Sequence, residues 1–279
     1  MAKCEFCGQE AGFLRKNHKE CQDKYDDGKH KIVGIAQNAM YTQTNFAPVS
    51  EEVHTTAKNS FIGESELKSL LVTAWENSVE QAFEDNVLTH EEENSLVTFG
   101  NYFSLSQDDL DKKGFHSKLI KGAVLRDLLE GIIRQRININ GILPFNFQKN
   151  EVLIWLFQNV QYYEQRTRRQ YAGGYSGVSL RVAKGVYYRA GGFRGEPINT
   201  QVSVHVDTGI LAVTDKYIYF GGNVKGFKIA YDKIISFTPY TDGIGVQRDA
   251  STARPQSFIT EDGWFTYNLL TILAKMKAG

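Results

Sequence analysis

The sequence predicts an α+β chain of several domains, and three features carry that prediction. All three cysteines among the 279 residues fall within the first 21, alongside His18. From residue 61 apolar residues recur three and four apart, the period of amphipathic helices. After Gly177 the pattern changes to short β-branched and aromatic runs divided by turn residues, and the chain closes with one amphipathic segment. The expected order is a small metal-organised finger, a helical middle domain, and an antiparallel β barrel or sandwich capped by a helix.

The first element reads Cys4-x2-Cys7-x10-His18-x2-Cys21. Two cysteines two residues apart place both thiolates on one metal from a tight turn, and Gly8 permits the backbone angles such a turn needs. His18 and Cys21 are three apart and share one side of a helical turn, so they close a tetrahedron from the other side. Phe13 and Leu14 would form a miniature core between the pairs. His30 is a substitute fourth ligand, weaker for its distance along the chain. Isolated CxxC pairs are common, but one followed by HxxC, with no cysteine left over, is not the pattern of unrelated thiols. Four protein donors leave no open position, so Zn2+ here would be structural. The pattern resembles small CCHC-type zinc fingers over residues 1–28. Such fingers bind nucleic acid or protein, or cap a fold.

Residues 29–60 read as a linker, polar and weakly patterned, with Pro48 in it. Asp26-Asp27-Gly28 reads as a turn, and Ile32, Val33, Ile35 and Ala36 as a short helix or strand. Residues 61–140 read as the helical domain. Leu67, Leu70, Leu71, Ala74, Trp75, Val79, Ala82 and Phe83 stripe a helix from Glu64 to Phe83. Asp85-Asn86 follows as a turn. Thr89 with Glu92 then forms a capping box before a helix lined by Leu96, Phe99 and Phe103. Ser106 repeats the device as a cap, and a further helix spans Ser117 to Arg134. A calcium loop from Asp85 is excluded, because Val87 and Thr89 stand where oxygen ligands are required. The junction D-N-V-L-T-x-E-E resembles the TerB-like helical domains of bacterial stress proteins. That family's metal-binding acidic clusters are not matched, and Glu91, Glu92 and Glu93 read as a solvated first turn favoured by the helix dipole.

Residues 141–177 read as a connecting helix and a basic segment, with Glu151 to Tyr163 as that helix or the first strand of the next domain. The predicted strands are Val178–Arg189, Thr200–Val206, Gly209–Thr214, Tyr217–Gly221, Phe227–Tyr231 and Ile234–Thr238, with turns at Asp207-Thr208-Gly209, Asp215-Lys216 and Gly221-Gly222. A helix from Gly263 to Lys277 presents Trp264, Tyr267, Leu270 (or Leu269), Leu273 and Ala274. Strands closed by one C-terminal amphipathic helix, with "GILAVTDKYIYFGG" followed by "FKIAYDKIISF", resemble pleckstrin-homology-like (PH-like) and GRAM-like bacterial domains over residues 178–279. That resemblance implies a fold hosting lipid, peptide and scaffold functions.

Net charge is zero, which argues against a uniformly basic nucleic-acid binder, but the balance is uneven. Residues 61–140 hold 8 basic and 14 acidic side chains, whereas residues 141–195 hold 8 and 2. Arg166, Arg168, Arg169, Tyr171, Arg181, Lys184 and Arg194 form the candidate anion or nucleic-acid surface, since arginine forks grip phosphates and tyrosines stack on bases. The segment Ala190–Gly195 reads as a loop shaped like an anion nest. The competing reading is a helix end whose arginines pair with the acidic segment. Walker, G-x-S-x-G and H-E-x-x-H motifs are absent, no cysteine is left as a nucleophile, and no catalytic residue is assigned. His205 and Asp207 read as an ordinary strand pair on one face, and Gly243-Ile244-Gly245 as a hairpin turn. No window is apolar enough to span a membrane, and the N-terminus carries no secretory signal, so a cytoplasmic location is expected. The resulting expectation is a non-enzymatic adaptor with a protein partner, in a bacterial stress or phage-defence assembly if the resemblances hold. The alternatives are a nucleic-acid binder and an anionic-lipid binder.

Overall fold

A computed structural model describes residues 3–11, 16–42, 45–84, 87–139, 141–183, 186–250 and 253–278, with the backbone alone over 167–200 and at 278. The chain forms two compact units, residues 1–130 and 131–279.

The first unit is helical: α1 (Lys19–Thr42), α2 (Phe46–Asn59), α3 (Glu64–Ala82), α4 (His90–Tyr102), a single turn α5 (Gln107–Leu110) and α6 (Phe115–Leu129). The expected linker over 29–60 is therefore corrected to most of α1 and all of α2. Two residues that read as breaks serve helix construction instead. Gly28 lies inside α1, where a Cβ would stand 2.2 Å from Ser60 Oγ, so glycine allows close packing rather than a turn. Pro48 lies in the first turn of α2, whose backbone N–H groups have no helical partner, so its missing donor costs nothing. Asn45 caps that helix by accepting from the Ala47 N–H at 3.0 Å.

The core of this unit runs along Ile32, Ala36, Val53, Leu67, Leu71, Trp75, Val79, Leu96, Phe99, Leu119 and Ala123. The indole N–H of Trp75 donates to the Leu96 carbonyl at 2.9 Å, joining α3 to α4. Both expected capping boxes are present, Thr89 with Glu92 and Ser106 with Asp109. The α3–α4 turn expected at Asp85-Asn86 lies outside the described residues. Glu93 is not solvated as expected: it pairs with the buried Arg126, which also contacts Asp127 and donates to the Thr89 carbonyl at 2.9 Å. Several acidic residues find cations within the unit, Glu76 with Lys113 at 2.6 Å and Asp109 with Lys68 at 2.5 Å.

The second unit is one curled antiparallel sheet of seven strands: β1 (Leu153–Ala183), β2 (Val186–Thr214), β3 (Tyr217–Gly222), β4 (Gly226–Ala230), β5 (Ile234–Pro239), β6 (Gly243–Arg248) and β7 (Gln256–Ile259). Their order is β4-β3-β2-β1-β7-β6-β5, and α7 (Gly263–Ala278) packs on β5 and β6. Of the two readings of 151–163, a connecting helix or a first strand, the strand is found, as the start of β1. The single strand expected at 178–189 is corrected to the end of β1 and the start of β2, which pair with each other, and 200–206 falls within β2. From Arg166 onward β1 pairs only with β2, a two-stranded ribbon of about 60 Å at ~3.3 Å per residue. The expected loop at 190–195 is strand within that ribbon, with Gly195 paired to Gly173 and Gly191 to Gly177. Glycine facing glycine leaves the ladder intact, so these residues did not mark a turn.

Further corrections concern the later strands and the last helix. Gly243 and Gly245 belong to β6 rather than to a hairpin turn, because a Cβ on Gly243 would stand 2.1 Å from the Phe258 carbonyl oxygen of β7. His205 and Asp207 do not share a face. The register shifts between Tyr162 and Tyr163, which pair with Asp207 and His205 respectively. His205 packs against the Tyr163 ring at 5.2 Å, while Asp207 is buried and accepts from the Val224, Lys225 and Thr208 N–H groups at 2.6, 2.8 and 2.9 Å. In α7 the buried face is Phe265, Leu269, Leu270 and Leu273, and Trp264 points outward.

Candidate metal centre

The finger begins with an antiparallel bridge between Lys3 and Glu10, which folds residues 4–9 into a tight loop. Within it the Cys4 N–H donates to the Gln9 carbonyl at 2.7 Å, and the Gly8 N–H to the Cys4 carbonyl at 2.9 Å. Gly8 adopts φ +73°, the left-handed geometry that lets the loop reverse after Cys7. Asn17 ties the second half to the first, its side-chain oxygen accepting from the Glu5 N–H at 3.1 Å. His18 immediately precedes α1, and Cys21 lies in its first turn, with the Gln22 N–H donating to the His18 carbonyl at 3.0 Å.

This arrangement brings one donor atom from each of Cys4, Cys7, His18 and Cys21 to within 4.8 Å of one another. His18 Nδ1 lies 3.3 Å from Cys7 Sγ and 3.9 Å from Cys21 Sγ. Its other nitrogen, Nε2, lies 2.9 Å from the Glu10 carbonyl oxygen. A carbonyl only accepts, so Nε2 carries the proton and Nδ1 presents its lone pair to the thiols. An outer hydrogen bond of this kind fixes both tautomer and ring orientation in metal-binding histidines. Phe13 and Leu14, expected as the miniature core, lie outside the described residues. Phe6 instead packs on Tyr25 and Phe61 at ring-centre distances of 4.9 and 5.4 Å. His30, the substitute ligand, lies along α1 and is not among the clustered residues.

The electrostatics divide the three thiols. Burial raises the Cys4 thiol, but hydrogen bonds from the Cys7, His18 and Phe6 backbone outweigh that and bring it to about 6. Cys21 is pushed up to about 11 by burial and by the neighbouring Cys7 and Cys4 sulfurs. The His18 imidazole is raised, first by the Glu10 carbonyl and then by Cys7. One thiol thus ionises readily while the others crowd it, and a divalent cation would neutralise that crowding by displacing their protons. The cluster can hold a metal ion in a four-donor site of three sulfurs and one nitrogen.

The other sequence candidates stand in the second unit. Arg166 lies on β1 with a guanidinium nitrogen 3.4 Å from Glu164, so it is held within its own strand. Arg168, Arg169, Tyr171 and Arg181 belong to β1 and Arg194 to β2 by backbone, with side chains outside the described residues, and Lys184 lies outside them altogether. The expectation of a helix end here is corrected, since the described residues of this stretch are strand. Backbone pairing sets Arg168 opposite Thr200, Arg181 opposite Tyr187 and Arg194 opposite Gly174.

Comparison with known proteins gives no family: no family model matches the sequence, and no curated protein matches it. Among the described residues no helix is long and apolar enough to cross a membrane.

Proposed function

We propose that this chain is a non-enzymatic binding protein that carries a structural zinc ion and acts as an adaptor between protein partners. The observation that carries this reading is the closure of the Cys4–Cys7–His18–Cys21 cluster. Three thiols and one nitrogen with an oriented lone pair would supply the four donors of a tetrahedral shell, which suits zinc and would leave no coordination position for substrate. Thiols kept free for metal fit a reducing compartment, which supports a cytoplasmic setting.

The second unit supports the same reading. Strands β1–β4 and β5–β7 run as two meanders and a single helix follows them, an order that supports reading this unit as PH-like. That fold presents surfaces and loops rather than a fixed chemistry. The TerB-like likeness of residues 61–140 points toward a bacterial stress or phage-defence assembly as the setting. Affinity capture of the tagged, full-length protein from its host, with nuclease-treated controls, tests the adaptor role. Protein partners that survive nuclease and are lost with the Cys7→Ser/Cys21→Ser variant are expected, and capture of nucleic acid alone would contradict it.

The β1–β2 ribbon favours nucleic acid as a second reading, because a two-stranded ribbon fits a major groove and this one carries the Arg166–Arg169 run. Its binding would fall with salt at a log–log slope of about −0.9 per phosphate contacted on duplex DNA. No affinity at low salt ends that reading. Flotation with neutral and anionic vesicles separates the anionic-lipid alternative from both.

A further inference from the structure

The sheet of the second unit holds a pocket of about 220 Å3 lined by Tyr162, Glu164, Arg248, Arg254 and Gln256. Tyr162 and Glu164 come from β1, Arg248 ends β6, and Arg254 and Gln256 enter β7, so three adjacent strands converge on it. Arg166 adjoins it through Glu164. Its floor is fixed by a chain of hydrogen bonds. Gln256, only 4% exposed, donates through Nε2 to the Tyr162 hydroxyl at 2.6 Å. That hydroxyl donates to Glu164 at 2.9 Å. Since the single phenolic proton goes to the carboxylate, the glutamine must offer its NH2 to the phenol, and the amide orientation follows. Its Oε1 is then buried with no hydrogen-bond partner among the described residues.

Two further buried atoms lack partners: Nε of Arg166 and Nε of Arg248. Two guanidinium groups reach the Glu164 carboxylate at long range, 3.4 Å for Arg166 and 3.8 Å for Arg254, and Arg248 lines the same pocket. The site therefore holds more cations than its one carboxylate balances, and beside that carboxylate it leaves Gln256 Oε1 as an acceptor without a partner among the described residues. Buried polar atoms are ordinarily satisfied, so the unsatisfied set describes the complement of a ligand. That ligand carries anionic oxygens for the arginines and a hydrogen-bond donor for Gln256.

We propose that this pocket binds a phosphate group that retains a P–OH, as hydrogenphosphate or a phosphomonoester in its singly protonated form. Arg248 and Arg254 hold its oxygens, and Gln256 Oε1 accepts from its hydroxyl. Sulfate has the same shape and charge but no proton to give at neutral pH, and a carboxylate lacks both the proton and the third oxygen. The choice of strands matters: the site is built on β1, β6 and β7, with none of its lining from the β1–β2 ribbon tip where the sequence placed an anion loop. It stands apart from the adaptor reading and survives the failure of that reading.

Calorimetric titration of the full-length protein with inorganic phosphate at neutral pH tests it. Saturable binding to one site is expected, with sulfate weaker by about tenfold or more, the worth of one hydrogen bond to a charged partner. Arg254→Ala, at an exposed rim position, should lower phosphate affinity by a similar factor while leaving the thermal melt unchanged; Lys233→Ala, on the turn before β5, should change neither. A second arm uses phosphatidylcholine vesicles with and without phosphatidic acid. Flotation only with phosphatidic acid, lost in Arg254→Ala, assigns the phosphate to a lipid headgroup; binding of free phosphate without flotation assigns it to a soluble compound. Equal binding of sulfate and phosphate, indifference to Arg254→Ala, or no binding in either arm would overturn the proposal.

Discussion

His18 Nε2 donates to the Glu10 backbone carbonyl at 2.9 Å, and this one bond decides which imidazole nitrogen faces the three cysteines. It joins the first loop of the finger to the residue before α1, so the outer shell of the site is also the contact that closes its fold. The side chain of residue 10 is irrelevant to it, since the acceptor is backbone.

Replacing His18 therefore tests orientation and ligation together. His18→Cys supplies a donor without the Glu10 bond, and His18→Ala supplies none. Cobalt titration followed by charge-transfer absorbance should show binding retained in His18→Cys. His18→Ala should lose more than the ~10–100-fold that removal of an outer partner alone costs. Equal binding by wild type and His18→Ala would remove the histidine from the site.

Arg126 is the charged centre of the helical unit, with a side chain 8% exposed. It pairs with Glu93 and Asp127 and donates to the carbonyl before α4. Arg126→Ala removes the buried cation that pairs with Glu93 and Asp127 and the donor to the Thr89 carbonyl, and should destabilise the helical unit by about 3–5 kcal/mol. Urea unfolding monitored by far-UV circular dichroism reads this, and a loss under ~1 kcal/mol would show that the network is solvated.

How much of this was legible in the sequence depends on which residues spoke for themselves. The metal cluster was, because ligand spacing is set by local chain geometry that Gly8 and the turn before α1 supply. The caps at Thr89 and Ser106 were, because both partners lie within four residues. Gly28 and Gly243 misled, because each is glycine for a neighbour distant in sequence, Ser60 or the Phe258 carbonyl, and Gly195 misled because it stands within a strand ladder opposite Gly173. Arg248, Arg254 and Gln256 carried no local signal at all. They become a site only when β7 pairs with β1, and no run of sequence announces that pairing.

Gly209 offers a sharp check of the sheet. A Cβ there would lie 2.2 Å from the Gly221 carbonyl oxygen of β3, whereas one on Gly226 meets nothing within 4 Å. Gly209→Ala should cost about 1–3 kcal/mol as the strands are forced apart. Gly226→Ala should be neutral or stabilising by ~0.4–1 kcal/mol. Thermal melts of the two variants side by side decide it, and equal behaviour would place the β2–β3 contact elsewhere.

Asp207 predicts a pH dependence. Burial raises its carboxyl, but the backbone N–H groups of Val224, Lys225 and Thr208 outweigh that and lower it below the usual range. A carboxyl lowered on folding stabilises the fold above its unfolded value, about 3.9, and that contribution disappears as pH falls through the lowered folded value. The wild type should thus lose stability relative to Asp207→Asn on acidification below about pH 4, with a constant difference near neutrality. A difference that does not narrow in acid would show that the carboxylate charge is not what the turn recognises.

Zinc content is the most direct test of the account as a whole. Full-length protein purified under reducing conditions should carry one zinc ion per chain by elemental analysis. A strong chelator should remove it and loosen residues 1–25 while the signals of helices α2–α6 and of the sheet persist. Protein free of zinc that cannot take it up, or a chelator that leaves the finger unchanged, would contradict the metal centre on which the proposed function rests.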